Sequence, residues 1–216
     1  MCGRYALHSH PDVVALQFGL DVAPQFDARY NICPSMEILI IRHDRAGKRV
    51  AGRYRWGLIP GWAKDPSIGN QLANARGETV AEKPAFRDAF RQSRCLVPAS
   101  GFYEWKTLAG RKQPWYMRPK DAGLFGLAGI TELWNGVHSV ALITTQPNGL
   151  MKSIHDRMPV IVASDGYGAW LDPGNKDISA LRNFIRPYAS ERMQAYPVSL
   201  RVNTPQNDDA TLIEQI

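Results

Sequence analysis

Glu37-Ile38-Leu39-Ile40-Ile41-Arg42-His43, followed by Asp44-Arg45-Ala46-Gly47 and then by 50–56 ending at Trp56, is the stretch from which the fold is read. A mostly apolar run that stops at a glycine-containing turn and returns as a second run is a β-hairpin, with its first strand largely buried. Further strands are expected at 94–97, 102–106, 114–118, 124–130, 139–145 and 159–162. Helices are fewer and short. Ser9 is placed to cap one over Val13, Val14, Leu16 and Phe18, with Pro11 in its first turn and Asp12 near the positive end of its dipole. Others are expected at 78–81, at 84–91 with Pro84 at the start, at Tyr167–Leu171 and at 178–185. Strands do not alternate regularly with helices, which excludes a doubly wound sheet. The expectation is an α+β fold, a single domain over 1–216, with a curved or barrel-like antiparallel β core flanked by short helices.

Composition narrows the class. The chain has 216 residues, 44% hydrophobic and 21% charged, which is globular and argues against disorder. No apolar run reaches the roughly 20 residues that span a bilayer, so no membrane association is expected. The first residues lack the basic region and apolar stretch of a signal peptide. Three cysteines, Cys2, Cys33 and Cys95, cannot all pair internally, so a reducing cytoplasmic setting is expected. The net charge of +6 favours a polyanionic partner. Arg4, Arg29, Arg55, Arg76 and Arg157 stand singly beside Asn, Gly, Pro or aromatic residues, as a shaped phosphate-reading groove would have them.

Four segments carry chemistry. Cys2 follows Met1 and is small, so removal of Met1 is expected to expose it. A free α-amine of reference pKa near 8 then sits beside a thiol of reference pKa near 8.5. Such a pair condenses with an aldehyde first as an imine and then, through sulfur, as a five-membered thiazolidine. Gly3 lets the backbone approach closely, and Arg4 offers an anion clamp. In Asn74-Ala75-Arg76-Gly77-Glu78-Thr79, Asn74 and Arg76 read either as recognition groups or as a loop-stabilising pair, and Glu78 reads as opening the next helix. In Gly101-Phe102-Tyr103-Glu104-Trp105-Lys106, alternation sets Glu104 on the opposite face from Tyr103 and Trp105. A carboxylate among apolar neighbours has a raised pKa and suits proton transfer. In Ile154-His155-Asp156-Arg157-Met158-Pro159, His155 is followed by Asp and Arg in a turn before a buried strand. No Cys/His spacing resembles a metal site, no glycine loop cradles a phosphate, and no cofactor is expected.

Together with Arg29-Tyr30-Asn31-Ile32-Cys33-Pro34 and Arg55-Trp56-Gly57-Leu58-Ile59-Pro60-Gly61-Trp62, these segments stand in the order that resembles the SRAP (SOS response-associated peptidase) family, over residues 2–200. The resemblance implies a DNA-damage function: binding of single-stranded DNA and covalent capture of abasic sites. It implies Cys2 as nucleophile with Asn74, Glu104 and His155 around it. It implies Arg4, Arg76 and Arg157 as phosphate contacts, Asn31 and Pro34 in a loop near the lesion, and Trp62 against the DNA. Cys33 stands where the family has Ala, as a second thiol near the site, and Gly77 where it has a bulkier small residue, which would loosen the loop after Arg76. The expected partner is single-stranded DNA containing abasic sites, and the expected state is a monomer in the cytoplasm, nucleoid-associated when bound to DNA. Two other readings stay open: a cysteine-type (auto)peptidase using Cys2, and a non-covalent single-stranded DNA-binding module.

Overall fold

The computed structural model describes residues 2–121 and 123–216. In chain order its strands and α-helices are β1 (Tyr5–Leu7), α1 (Pro11–Phe18), β2 (Arg29–Ile32), β3 (Glu37–His43), β4 (Arg49–Trp56), β5 (Asn74–Arg76), α2 (Arg87–Gln92), β6 (Arg94–Ala99), β7 (Gly101–Leu108), β8 (Arg111–Pro119), β9 (Phe125–Trp134), β10 (Val137–Thr145), β11 (Met158–Pro159), β12 (Ile161–Val162), α3 (Tyr167–Leu171), α4 (Ile178–Arg182) and β13 (Met193–Pro197). The hairpin β3–β4 pairs in uninterrupted register from Glu37 opposite Arg55 to His43 opposite Arg49.

From that hairpin the sheet curls and closes. β3 pairs β6 at Ile41 and Leu96, β6 pairs β9, and β9 pairs β10, all antiparallel. β10 then returns to β4 through a parallel contact at Ser139–Arg55 and Val140–Trp56. These pairings form a closed ring of five strands, the barrel-like core expected from the sequence, and closure leaves no free edge to template aggregation. Its last seam is parallel, as is the pairing of β5 along β10. A second sheet, in the order β13-β8-β7-β1-β2, packs outside.

The main core fills and underlies the barrel, with Trp56 and Trp170 wholly buried. Each such side chain contributes roughly 2–3 kcal/mol by leaving water. A smaller core of Tyr103, Tyr116, Val198, Val202 and Leu212 lies on the other face of β7 and β8. Arg94 is buried. The Arg94 guanidinium donates to the carbonyls of Phe90, Arg91, Trp170, Asp172 and Asn175 at 2.5–2.9 Å, tying α2 to α3 without an acidic partner.

Several local expectations are corrected. His10 caps α1 in place of Ser9: its Nδ1 accepts the Asp12 N–H at 3.3 Å, while Ser9 Oγ lies 3.1 Å from Ser100 Oγ. Residues 78–81 form turns, because Gly77 N–H is held by the Thr144 carbonyl at 2.8 Å and Glu78 reaches out to Arg157. Helix α2 starts only at Arg87. The strand expected at 159–162 divides at Val160, whose N–H goes to Ile143 and whose carbonyl accepts from Ala128, so the segment crosses from β10 to β9. Helix α4 stops at Arg182. No helix among the described residues is long and apolar enough to cross a membrane.

Candidate active site

Cys2 enters just before β1 and is fully buried against the barrel core. β5 lies alongside β10 and brings Asn74 beneath it, where Asn74 Nδ2 donates to the Cys2 carbonyl at 2.9 Å. Asn74 Oδ1 is buried and accepts no hydrogen bond among the described residues. On β7 the pleat sends Phe102 into the main core and Tyr103 and Trp105 into the smaller one, which turns Glu104 inward. Glu104 is 2% exposed, and burial raises its carboxyl to about 7. Burial, and after it the Glu104 carboxylate, raise the Cys2 thiol far above its ordinary value. A free thiolate is therefore disfavoured at rest, and sulfur must lose its proton as it attacks.

His155 completes the cluster from the turn before β11. Its Nε2 lies 3.7 Å from Glu104 Oε2. Its Nδ1 lies 3.0 Å from the Arg157 backbone nitrogen, 3.1 Å from Asp156 Oδ1 and 3.3 Å from the Arg157 carbonyl, so that edge of the ring is held within its own turn while Nε2 faces Glu104. Burial lowers its pKa, so the ring is neutral near pH 7. Four separate segments thus converge on one point with a thiol, an amide, a carboxyl of raised pKa and an imidazole. No group of three or more His, Cys, Asp or Glu among the described residues is arranged to hold a metal ion.

Beside Asn74 opens a groove of about 790 Å³ lined by Trp62, Asn70, Arg76, Lys83 and Phe86 among others. Trp62 is 61% exposed, and Arg76 is exposed and donates no side-chain hydrogen bond among the described residues. Pro34 is half-buried at the turn after β2, and its neighbour Ser35 reaches Asn70 at 3.2 Å, so this loop borders the groove.

Other expected contacts turn inward. Asn31 is fully buried, and its Nδ2 donates to the carbonyls of Val202, Thr204 and Asn207. It anchors the C-terminal segment. Arg4 Nη1 donates to Asn31 Oδ1 at 2.6 Å and to the Val202 carbonyl at 2.5 Å. Arg29 pairs with Asp208, and Arg55 with Asn70 and the Gly57 carbonyl. Both terminal nitrogens of Arg157 meet Glu78, at 2.6 and 2.9 Å, and Nη2 also meets Thr144. Glu78 is thus half of an ion pair that holds its own pKa down, and does not open a helix. Gly77 does not loosen its loop: a Cβ there would lie 2.2 Å from Ile185 Cγ2, so glycine is what allows the close packing. Cys33 is buried and its thiol is raised by burial, with Sγ donating weakly to the Asn31 carbonyl at 3.5 Å. The sequence pointed to neither Thr144 nor Asp208, which work through contacts far apart in the chain.

The chain is similar to known proteins along most of its length. A family described as SOS response associated peptidase (SRAP) matches residues 1–205. The chain belongs to the SRAP family. Among SRAP relatives, the abasic site processing protein YoqW of Bacillus subtilis is 44% identical over 223 residues, covering 99% of each chain. The abasic site processing protein HMCES of Xenopus tropicalis is 31% identical, over 85% of this chain and 65% of that one. The Escherichia coli abasic site processing protein YedK is 26% identical over the full length of both. The SRAP fold is also similar to a crystal structure of a protein from Bacteroides thetaiotaomicron, with 27% identity, a TM-score of 0.88 and complete coverage of both chains.

Proposed function

We propose that this protein captures abasic sites in single-stranded DNA as a covalent thiazolidine at Cys2, once Met1 has been removed. Met1 itself lies outside the described residues. The observation that carries the reading is the convergence of the buried Cys2 thiol with Asn74, Glu104 and His155. The names of the relatives as abasic site processing proteins support it.

The chemistry follows from the geometry. An abasic sugar is a closed hemiacetal, and only its open aldehyde reacts with an amine. His155, in its Nε2–H tautomer, hydrogen-bonds to the ring oxygen as the bond to C1′ breaks, while Glu104 takes the proton of the anomeric hydroxyl and delivers it to that oxygen. The Cys2 α-amine then adds to C1′ and water leaves, giving an imine. Sulfur attacks the imine carbon while its proton passes to Glu104 and on to the nitrogen, closing the ring. A carboxyl raised to about 7 can both accept and return these protons. Asn74 holds the Cys2 carbonyl, and its inward Oδ1 receives a sugar hydroxyl or the terminal amine. Ring closure removes the imine before it acidifies C2′ and breaks the strand by elimination. A monomer suffices for this chemistry. The flanking strand follows the groove, with Trp62 against a base and Arg76 on the backbone.

The test is a denaturing gel of tag-free protein mixed with a single-stranded oligonucleotide carrying one abasic site. A heat-stable shifted band is expected, lost with Cys2→Ser and absent on undamaged DNA. Turnover of peptides without such a band would favour a cysteine peptidase, and equal, heat-released binding of both oligonucleotides a plain binding module.

A further inference from the structure

Past the groove lies a second cavity, of about 380 Å³, lined by Gly77, Glu78, Thr145, Gln146, Arg182 and Arg186 among others. The two adjoin along the chain. Arg76 and Thr79 line the groove, while Gly77 and Glu78 between them line the second cavity. Its far wall is fixed in place. Ile185 packs so closely on Gly77 that a Cβ there would lie 2.2 Å from Ile185 Cγ2, and Arg182 Nη2 donates to Glu82 Oε1 at 2.8 Å. The turn after α4 is therefore held against the end of β5, and it carries Arg186.

The charges of this lining do not cancel. Glu78 is paired with Arg157, and Arg182 with Glu82. Arg186 is exposed, and its guanidinium makes no hydrogen bond or ion pair among the described residues. Two polar side chains in the same cavity are also unengaged. Thr145, at the end of β10, is 4% exposed, and Gln146 is exposed. Neither the Thr145 hydroxyl nor the Gln146 amide makes a hydrogen bond among the described residues. A cation, a hydroxyl and an amide on one concave wall are the donors that hold phosphodiester oxygens.

We propose that this cavity binds a backbone phosphate of the single-stranded DNA running on from the groove, through Arg186, Thr145 and Gln146. The proposal rests on the capture reading above and extends the path of the strand. Continuity and charge carry it. A strand whose backbone lies on Arg76 reaches this cavity across the next residue of the protein chain, Gly77, which has no side chain to block it. A phosphate arriving there meets an uncompensated cation, because the nearby carboxylates of Glu78 and Glu82 already have arginine partners.

The experiment compares wild type with Arg186→Ala, Arg186→Lys, Gln146→Ala and Thr145→Val. Arg45→Ala, at an exposed position in the β3–β4 turn, is the control. The first readout is fluorescence titration of an undamaged single-stranded oligonucleotide of about 20 nucleotides at several salt concentrations. Arg186→Ala should lower the slope of log affinity against log salt by about 0.7–1, and Arg186→Lys should keep it. Gln146→Ala and Thr145→Val should weaken binding by about twofold to tenfold with the slope unchanged, since each removes a neutral donor. Arg45→Ala should change neither. The second readout anchors the strand: the adduct on an abasic oligonucleotide is trimmed with single-strand exonucleases, and the protected flank should be shorter in Arg186→Ala on one side of the lesion only. An unchanged salt slope in Arg186→Ala overturns the proposal. So does a lowered slope with unchanged protection of both flanks, because Arg186 would then act only through the overall charge. If wild type forms no adduct, the capture reading fails, and the titration on undamaged DNA still decides whether Arg186 holds a phosphate.

Discussion

Gly77→Ala is expected to destabilise the protein by an amount that the packing sets. The new Cβ would fall 2.2 Å from Ile185 Cγ2 and 3.0 Å from the Thr144 carbonyl oxygen. Carbon atoms in contact rest about 3.5–4.0 Å apart, so more than an ångström must be recovered. Either Ile185 leaves its place or β5 draws back from β10, stretching the 2.8 Å bond from Gly77 N–H to Thr144. Overpacking of this kind costs about 1–3 kcal/mol. For a chain of this size that is about 2–12 °C in melting temperature. Circular-dichroism melts of the single variants and of Gly77→Ala/Ile185→Ala measure it. Ile185→Ala removes the clashing carbon, so the double variant should lose less than the sum of the singles, with a coupling of about 0.5–3 kcal/mol. An undiminished melting temperature in Gly77→Ala, or strict additivity in the double variant, would refute the reasoning.

Glu104 is held near 7 when folded against an ordinary 4.5, so the folded state binds its proton more tightly than the unfolded chain does. Stability should therefore fall as pH rises from about 4.5 through about 7 and then level off, and melts across that range should show a smaller fall in Glu104→Gln. Arg94→Met leaves several buried carbonyls unpaired and should cost about 3–5 kcal/mol in urea unfolding, with adduct formation per folded molecule unchanged. Trp62→Ala removes a side chain that is 61% exposed; it should leave the melting temperature in place yet weaken non-covalent binding of single-stranded DNA by about 1–3 kcal/mol in a fluorescence titration. Arg76→Ala should lower the slope of log affinity against log salt by about one.

Much of the barrel is legible in the sequence because its strands are local patterns. The β3–β4 hairpin shows as an apolar run, a turn and a return, and β6 through β10 each show a core of apolar or aromatic residues. Closure is not legible, since the parallel seam of β10 on β4 joins residues more than 80 positions apart and leaves no local mark. The strand β5 is three residues long and reads as a loop until β10 lies beside it. At the site, Cys2, Glu104 and His155 stand out by chemical type and neighbours. The roles of the arginines do not, because a lone Arg looks the same whether it faces a phosphate or a buried carbonyl. Arg4, Arg29, Arg55 and Arg157 are all held by protein groups, and only their distant partners reveal it.

The measurement closest to the central claim is the intact mass of the adduct formed with an abasic oligonucleotide, without any reducing agent. Thiazolidine formation predicts a species that equals the protein lacking Met1 plus the oligonucleotide minus one water, stable to denaturation, with fragmentation placing the DNA on Cys2. A Cys2→Ala variant should form only an imine that survives through borohydride reduction and otherwise proceeds to strand cleavage. An adduct carried on another residue, or one from wild type that persists only after reduction, would contradict the account.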